Sequence, residues 1–205
     1  MLLSPSHFID PALFAREILD FSPCEDQKAA LAFGVRRGIL NCCRQWGKTT
    51  VLAIRAAHEA IFHPNAVILI VSQTEARAAE LAERAAQFCE KAGFRVRRDR
   101  QRPLGWRLAN GARILPLPTQ QSKVRGFPAT LVILDEAALI PDDVYYAITG
   151  TRAFTQGALW VMSTPAARQG FFYDLWMANE PGWVKVEAPA TGCPRISAGF
   201  LEEER

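Results

Sequence analysis

The sequence predicts an α/β fold with a mostly parallel central sheet and helices on both of its faces. Short apolar runs typical of buried strands, such as residues 66–72 and 130–134, alternate with segments of helical periodicity, such as residues 73–91. This alternation indicates βαβ connections, which produce a parallel sheet. Ligands of such sheets bind at the carboxyl ends of the strands, so the polar residues that follow each apolar run are the first candidates for a functional site.

Two helices are expected before the first strand. Residues 10–20 alternate apolar and charged side chains at helical spacing, and Pro11 suits a first helical turn. Residues 25–36 predict a second helix with Gln27 in its first turn. The first strand and the helix after it follow at residues 38–42 and 49–62.

The second half of the chain predicts a β-hairpin and further strands. Asn110-Gly111 stands between two strand-like runs within residues 106–117, which is a strong hairpin signal. Pro116 and Pro118 cannot donate to a ladder of hydrogen bonds, so the second hairpin strand is predicted to lie at a sheet edge. The remaining elements are strands at residues 130–134, 158–162 and 183–186, and a helix at residues 170–178.

Composition indicates a globular protein that does not enter membranes. The chain has 205 residues, 49% of them hydrophobic, which suits one domain with a sizeable core. Its longest apolar runs are far too short to cross a bilayer, so we expect no membrane association and a cytosolic location. The five cysteines form no Cys-x-x-Cys pair, and we expect reduced thiols.

Positive charge is concentrated in one segment. Residues 91–125 contain ten Lys/Arg and one acid, Asp99, although the formal net charge is only +3. A basic stripe of this kind can contact a polyanion such as nucleic acid. A solvated strand face, or an interface with an acidic neighbour, explains it equally well. The stripe contains Arg95, Arg97, Arg98, Arg100, Arg102, Arg107 and Arg113.

Residues 42–50, Cys-Cys-Arg-Gln-Trp-Gly-Lys-Thr-Thr, connect a predicted strand to a predicted helix. A strand, a short loop ending in Gly-Lys-Thr and a helix form the layout of a phosphate-binding loop, in which backbone N–H groups face the anion. Lys48 would neutralise the β- and γ-phosphates, and the Thr49 hydroxyl would hold magnesium. The usual pattern has a glycine where this chain has Cys42.

Two further strand ends carry polar residues. The run at 130–134 ends in Asp135-Glu136, which would supply a magnesium-binding carboxylate and a residue that polarises the attacking water. The run at 158–162 ends in Ser163-Thr164-Pro165, where hydroxyl groups can sense the γ-phosphate. Together with the loop, these ends predict a P-loop NTPase core of the RecA-like, ASCE type that hydrolyses ATP.

The order of these motifs resembles the ATPase domain of the large terminase subunit, the motor that packages DNA in tailed bacteriophages. The family tolerates loss of the first glycine of the loop and carries an arginine there. The matching stretches are Asp26-Gln27, Arg44-Gln45-Trp46-Gly47-Lys48-Thr49, Val71-Ser72-Gln73-Thr74, Arg125-Gly126, Val132-Ile133-Leu134-Asp135-Glu136-Ala137 and Met162-Ser163-Thr164-Pro165.

The resemblance implies a role for each motif, with ATP and Mg²⁺ bound together. Asp135 would bind the metal with Thr49, Glu136 would be the catalytic carboxylate, and Ser163, Thr164 and Pro165 would couple hydrolysis to movement. Gln27 would contact adenine, although a single glutamine in a first helical turn is more often exposed to solvent. The loop residues expected around the nucleotide are Arg44, Gln45, Trp46, Gly47, Lys48, Thr49 and Thr50.

Two arginines are candidates for the arginine finger. Arg44 would act within its own subunit. Arg125 precedes Glu136 at the spacing seen in similar terminases and would reach into the site of a neighbouring subunit in a ring. An arginine that reaches the transition state raises the rate by about a thousandfold or more. Of the two, we expect Arg125, acting in trans, to be the finger.

The resemblance also implies partners and a domain plan. Double-stranded DNA, a ring of identical subunits, a portal protein and a small terminase subunit are the expected partners, in the host cytoplasm. Residues 1–37 would form the leading helices, 38–190 the NTPase core and 191–205 the start of the following segment. In this family a nuclease domain follows the ATPase domain, and this sequence stops before it. We therefore expect an isolated motor domain without cutting activity.

Two alternatives remain at this stage. A superfamily 2 helicase shares the glutamine, the loop, the Asp-Glu pair and a Ser-Thr-Pro type motif, but it requires a second RecA-like lobe. It would unwind a tailed duplex. An ATP-gated binding module would instead bind nucleotide without releasing phosphate, even when DNA is added.

Overall fold

The computed structural model describes residues 3–119, 127–153, 155–178 and 180–192. Within these residues eight strands form one sheet in the order β3-β4-β5-β2-β6-β7-β1-β8. The six strands from β5 to β8 in this order are parallel, whereas β3 and β4 pair antiparallel at one edge. This mostly parallel arrangement confirms the predicted fold class. The strands are β1 Arg37–Cys42, β2 Val67–Ser72, β3 Val96–Arg98, β4 Trp106–Leu108, β5 Arg113–Pro118, β6 Leu131–Asp135, β7 Ala158–Ser163 and β8 Val184–Ala188.

Helices cover both faces of this sheet. They are α1 Pro5–Ile9, α2 Pro11–Leu19, α3 Glu25–Leu31, α4 Lys48–Phe62, α5 Glu75–Lys91, α6 Asp142–Thr151 and α7 Gly170–Met177, with 3₁₀ turns at Ala137–Leu139 and Ala190–Gly192. The helices α1 and α6 were not predicted. In the part of the chain that the structure describes, no helix combines the length and apolarity needed to cross a membrane.

Helix α3 ends five residues before the predicted boundary at residue 36. The Arg55 guanidinium donates hydrogen bonds to the carbonyl oxygens of Ala30, Ala32 and Val35, and these replace continued helical hydrogen bonds. The same guanidinium lies 4.2 Å from the centre of the Trp160 ring. A residue on α4 therefore fixes how the chain leaves α3 and enters β1.

The sheet separates two hydrophobic cores. The larger one packs α2, α4 and α5 against one face and contains Phe14, Leu52 and Leu81. The smaller one packs the 3₁₀ turn at Ala137–Leu139, α6 and α7 against the other face. Burial on both faces explains the continuous apolar runs of the central strands, because no position along them faces solvent.

The prediction that the second hairpin strand lies at a sheet edge is wrong. Strand β5 lies between β4 and β2, and it pairs with β2 along its whole length. However, the only residues of β5 that pair with β4 are Arg113 and Ile114. The half of β5 that contains Pro116 and Pro118 therefore has a ladder on one side only, which is the local condition that strand prolines require.

Gly38 in β1 is required by the packing of its neighbour. A Cβ atom there would lie 2.1–2.5 Å from ring atoms of Trp160, the buried residue paired with it on β7. We expect Gly38→Ala to lower the free energy of unfolding by about 1–3 kcal/mol, because the buried ring has no free space to move into.

The matched control for Gly38→Ala is Gly150→Ala in α6. A Cβ atom at Gly150 meets no atom within 4 Å, and alanine favours a helix by up to about 1 kcal/mol over glycine. Urea denaturation of both variants measures the difference. Equal stability of the two variants would contradict the close contact at Trp160.

Candidate nucleotide-binding site

Three adjacent strands deliver the predicted motifs to one cavity. Strands β6, β7 and β1 are neighbours, so their carboxyl ends place the Asp-Glu pair, the Ser-Thr-Pro motif and the phosphate loop side by side. The cavity has a volume of ≈ 710 Å³. Its lining residues are Arg44, Gln45, Gly47, Lys48, Thr49, Thr50, Arg77, Glu80, Arg84, Asp135, Glu136, Ser163 and Thr164.

The loop between β1 and α4 has the backbone of an anion-binding turn. Gln45 and Gly47 both adopt positive φ angles, 67° and 98°. These conformations turn the chain directly into α4, whose first residue is Lys48. The N-terminus of this 15-residue helix therefore faces the cavity, where its unpaired N–H groups favour an anion.

Cys42 is accommodated because its position does not need a glycine. It lies at the end of β1, outside the positive-φ positions of the loop, and its side chain is fully buried in the larger core. Its thiol lies 3.7 Å from the carbonyl oxygen of Val186, and burial raises the pKa of the thiol to about 12. Cys42 is therefore a packed, neutral side chain.

Lys48 is folded back over the loop. Its Nζ donates to the carbonyl oxygens of Cys42 and Cys43 at 2.6 and 2.7 Å, and to the Thr164 hydroxyl at 3.3 Å. Burial lowers the pKa of the amine, while the carboxylates of Asp135 and Glu136 oppose this change. The ammonium group is thus in the cavity and is held by neutral oxygens that an anion can replace.

The Asp-Glu pair lies at the carboxyl end of β6, as predicted: Asp135 is the last residue of the strand and Glu136 follows it. The Ser72 hydroxyl, at the end of β2, donates to Asp135 Oδ2 at 3.4 Å. Burial and the neighbouring charge of Glu136 raise the pKa of Asp135 from 3.8 to about 6. Glu136 has a left-handed backbone, with φ of 51°, and its carboxylate forms an ion pair with Arg77.

The Ser-Thr-Pro motif contacts both of the other motifs. The Ser163 hydroxyl accepts a hydrogen bond at 3.3 Å from the backbone N–H of Ala138, two residues after Glu136. The Thr164 hydroxyl accepts from Lys48, and Pro165 is exposed. One strand end therefore links the loop lysine to the segment that carries the carboxylates.

Gln27 is buried, so the interpretation that it is a solvent-exposed helix residue is wrong. Its amide Nε2 donates to the Trp46 carbonyl oxygen at 2.8 Å, and its Oε1 accepts from the Cys24 N–H at 3.1 Å. Gln27 thus ties α3 to the phosphate loop, which the sequence did not indicate. The predicted contact with adenine stays a prediction, and it would require this amide to exchange partners.

The other predicted loop residues differ in their surroundings. Trp46 is buried in the larger core, whereas Arg44 is exposed at the mouth of the cavity. Thr49 lines the cavity, and the neighbouring Thr50 hydroxyl accepts from Arg84 at 2.9 Å. Arg125 lies outside the described residues, as does most of the predicted segment at 191–205.

Sequence analysis missed three residues of the cavity, all on α5. Arg77, Glu80 and Arg84 lie on one face of this helix and line the cavity. The sequence identified α5 as amphipathic but left its polar face to solvent. The sequence places the first turn of α5 soon after β2, but only the pairing of β2 with β6 in the structure brings that turn near Asp135.

The oxygen ligands suit magnesium bound together with a nucleotide. Among the described residues, no group of three or more His, Cys, Asp or Glu side chains could hold a metal alone. Mg²⁺ in phosphate-transfer sites usually takes one or two protein oxygens, with phosphate and water completing its coordination. Thr49 and Asp135, both lining the cavity, fit that pattern.

Comparison with known proteins identifies the family. Residues 39–196 match the sequence profile of the family described as terminase large subunit, T4likevirus-type, N-terminal. This chain belongs to that family. It is 27% identical over 204 residues to the terminase large subunit of Thermus virus P23-45, in an alignment covering 90% of this chain. The terminase chain spans 42% of that relative's length, less than half.

Solved structures of large terminases share the fold. The ATPase domain of the Thermus phage P74-26 large terminase matches with a TM-score of 0.84 at 21% identity, covering 96% of this chain and 92% of that one. The large terminase of another thermophilic bacteriophage, in complex with ADP, matches with a TM-score of 0.71 at 16% identity, covering 88% and 48%. The predicted family and its P-loop fold are therefore confirmed.

Proposed function

We propose that this terminase chain is an ATP-hydrolysing motor domain that drives double-stranded DNA into a procapsid. One observation carries the proposal: the loop lysine, the strand-end carboxylates and the Ser-Thr-Pro motif meet in one cavity at the carboxyl edge of the sheet. Family membership supports it, as do the ADP and ATP-gamma-S complexes of the thermophilic bacteriophage's large terminase. A portal protein and a small terminase subunit are proposed as partners from family membership alone.

The triphosphate would be held by the loop and the N-terminus of α4. Lys48 would exchange the carbonyl oxygens of Cys42 and Cys43 for β- and γ-phosphate oxygens, and Arg44 at the cavity mouth would add positive charge. Because Lys48 is half-buried, its charge would act more strongly on the phosphates than it would in solvent.

Thr49 and Asp135 would hold Mg²⁺ beside the phosphates. The metal would neutralise developing charge on the β- and γ-oxygens. Asp135 must be ionised to bind it. Because the pKa of Asp135 is raised to about 6 in the absence of metal, we expect the apparent Mg²⁺ requirement of the reaction to increase below that pH.

Glu136 would act on the attacking water. Its carboxylate accepts a proton as the water oxygen bonds to the γ-phosphorus, and the bond to the β–γ bridging oxygen breaks. ADP leaves with the bridging oxygen, and phosphate is released. Ser163 and Thr164 would report the loss of the γ-phosphate, because they contact the Glu136 segment and Lys48 respectively.

The test is phosphate release measured over a range of protein concentrations. If Arg125 acts in trans, specific activity rises with concentration and Arg125→Ala is inactive alone. Mixing Arg125→Ala with Glu136→Ala should then restore part of the activity, because one intact site can form between the two variants. An arginine in trans contributes about a thousandfold or more, so the loss is easily measured.

Activity that is independent of concentration, and lost only in Arg44→Ala and Glu136→Ala, would place the arginine finger within each subunit. Nucleotide binding with no phosphate release at any concentration, with or without DNA, would instead support an ATP-gated binding module. Unwinding of a tailed duplex would favour the helicase alternative.

Strands β3 and β4 offer a face for the DNA backbone. Arg97 and Arg107 are paired directly across the two strands, and both are exposed. Like charges in this position are destabilising unless an anion lies between them. Arg113, in contrast, already binds the buried Asp99 at 2.7 and 3.0 Å, so it is neutralised within the chain.

Replacing both Arg97 and Arg107 by alanine should weaken binding to duplexes of any sequence. The slope of log affinity against log salt is negative, and each lost phosphate contact makes it less steep by about 0.9. The slope of the double variant should therefore be less steep by about 2. Fluorescence anisotropy between about 50 and 200 mM salt measures it. Arg16→Ala, which removes an exposed arginine from α2, is the control. An unchanged slope would make this strand face a solvated surface.

A further inference from the structure

Arg77 forms an unexpected contact inside the candidate site. Its guanidinium pairs with the carboxylate of Glu136, the residue that must act on water. Both side chains line the nucleotide cavity. A carboxylate oxygen that accepts a hydrogen bond from a guanidinium has fewer lone pairs available for a water molecule. In this arrangement Glu136 is therefore not ready for catalysis.

The pair is held by rigid elements on both sides. Arg77 lies in the first turn of α5, where its backbone N–H donates to the hydroxyl of the N-cap residue Thr74 at 3.3 Å. Glu136 follows β6 directly, and its left-handed backbone turns its side chain out of the strand. Because β2, which leads into α5, pairs with β6, the two side chains are brought together by the sheet itself.

We propose that Arg77 is a positioning residue that withholds Glu136 in the nucleotide-free domain and releases it when a triphosphate enters. The trigger is competition for the same cation. A triphosphate in the cavity brings several negative charges to the side chains that line it, and Arg77 is one of them. The inference rests on the proposed ATPase function, because a nucleotide must enter the cavity to supply that charge.

Exposure sets the size of the expected effect. The side chains of Arg77 and Glu136 are 56% and 28% exposed, so the contact is weak enough to open during each catalytic cycle. Opening a pair of this exposure when nucleotide binds corresponds to a change of about two- to fivefold in nucleotide affinity. A fully buried pair would keep Glu136 unavailable, whereas this exposed pair can open when a competing anion is present.

The first measurement is the Kd of ATP-gamma-S in the whole chain. Glu136→Ala is expected to tighten binding about two- to fivefold more in the wild type than in an Arg77→Ala background, because only in the wild type must the triphosphate open the pair. Arg16→Ala is the matched control, since Arg16 is 59% exposed and pairs only with its neighbour Glu17 among the described residues. An equal effect of Glu136→Ala on the Kd in the wild-type and Arg77→Ala backgrounds would overturn the proposal.

The second measurement is thermal stability, which, like the first, does not require turnover, so a failure of this inference is distinguishable from a failure of the proposed function. Without nucleotide, Arg77→Ala should lower the Tm by about 2 °C in the wild type and by less in a Glu136→Ala background. With saturating Mg²⁺ and ATP-gamma-S, this difference between backgrounds should disappear. If it is absent without nucleotide, or persists with it, Arg77 does not hold and release Glu136.

Discussion

Glu136→Gln is expected to bind ATP and Mg²⁺ nearly as well as the wild type and to hydrolyse ATP at least about 100-fold more slowly. The substitution keeps the size and one hydrogen-bonding oxygen of the side chain but removes its ability to accept a proton. The left-handed backbone at residue 136 and the contact between Ala138 and Ser163 do not depend on the carboxylate charge. The fold of this segment should therefore be preserved.

Two assays on the same protein check this expectation. Binding of ATP-gamma-S is measured by calorimetry, and phosphate release from ATP is measured under saturating nucleotide. Lys48→Ala is the contrasting variant, because it should lose affinity as well as rate. If Glu136→Gln retains more than about a tenth of the wild-type rate, another group activates the water and Glu136 is not the catalytic carboxylate.

Asp135→Asn is expected to stabilise the nucleotide-free domain while abolishing Mg²⁺-dependent hydrolysis. Burial and the charge of Glu136 raise the pKa of Asp135 from 3.8 to about 6, so its ionised form is unfavourable in the folded state above that pH. A shift of this size corresponds to roughly 1–3 kcal/mol at about pH 8. The asparagine variant should show a correspondingly higher Tm, by about 2–4 °C per kcal/mol.

The pH dependence has a definite sign. Because the pKa of Asp135 is raised in the folded state, its contribution to the free energy of unfolding is most favourable below pH 3.8. This contribution is lost as the pH rises through about 6. The advantage of Asp135→Asn should therefore grow between about pH 4 and pH 7. Thermal unfolding at several pH values, without metal or nucleotide, measures this difference.

Asp99→Asn is the matched control, because the same substitution should act in the opposite direction. Burial raises the pKa of Asp99, but the hydrogen bonds and charge of Arg113, together with the backbone N–H groups of Gln101 and Arg102, lower the pKa overall. Its stabilisation is present at neutral pH and is lost as the pH falls, so Asp99→Asn should destabilise most near neutral pH. If both variants change stability in the same direction, charge is not the cause.

The sequence was informative where local chemistry decides the conformation of the chain. The apolar runs of β2, β6 and β7 favour extended strands, and the glycines at Gly47 and Gly111 permit the positive φ angles of the turns that follow β1 and β4. Strand ends were equally predictable, because parallel strands place their carboxyl ends on one edge. For that reason the residue pattern was sufficient to assign the loop, Asp135-Glu136 and Ser163-Thr164 to a common site.

Tertiary structure alone decided which polar side chains meet. The position of β5 between β4 and β2, the burial of Gln27 against Trp46 and the contact of Arg77 with Glu136 all join residues far apart in the chain. A charged side chain on an amphipathic helix gives the same sequence pattern whether it faces water or a cavity. The pairing of β2 with β6 selects the cavity for α5, and this long-range pairing has no signature in the local sequence.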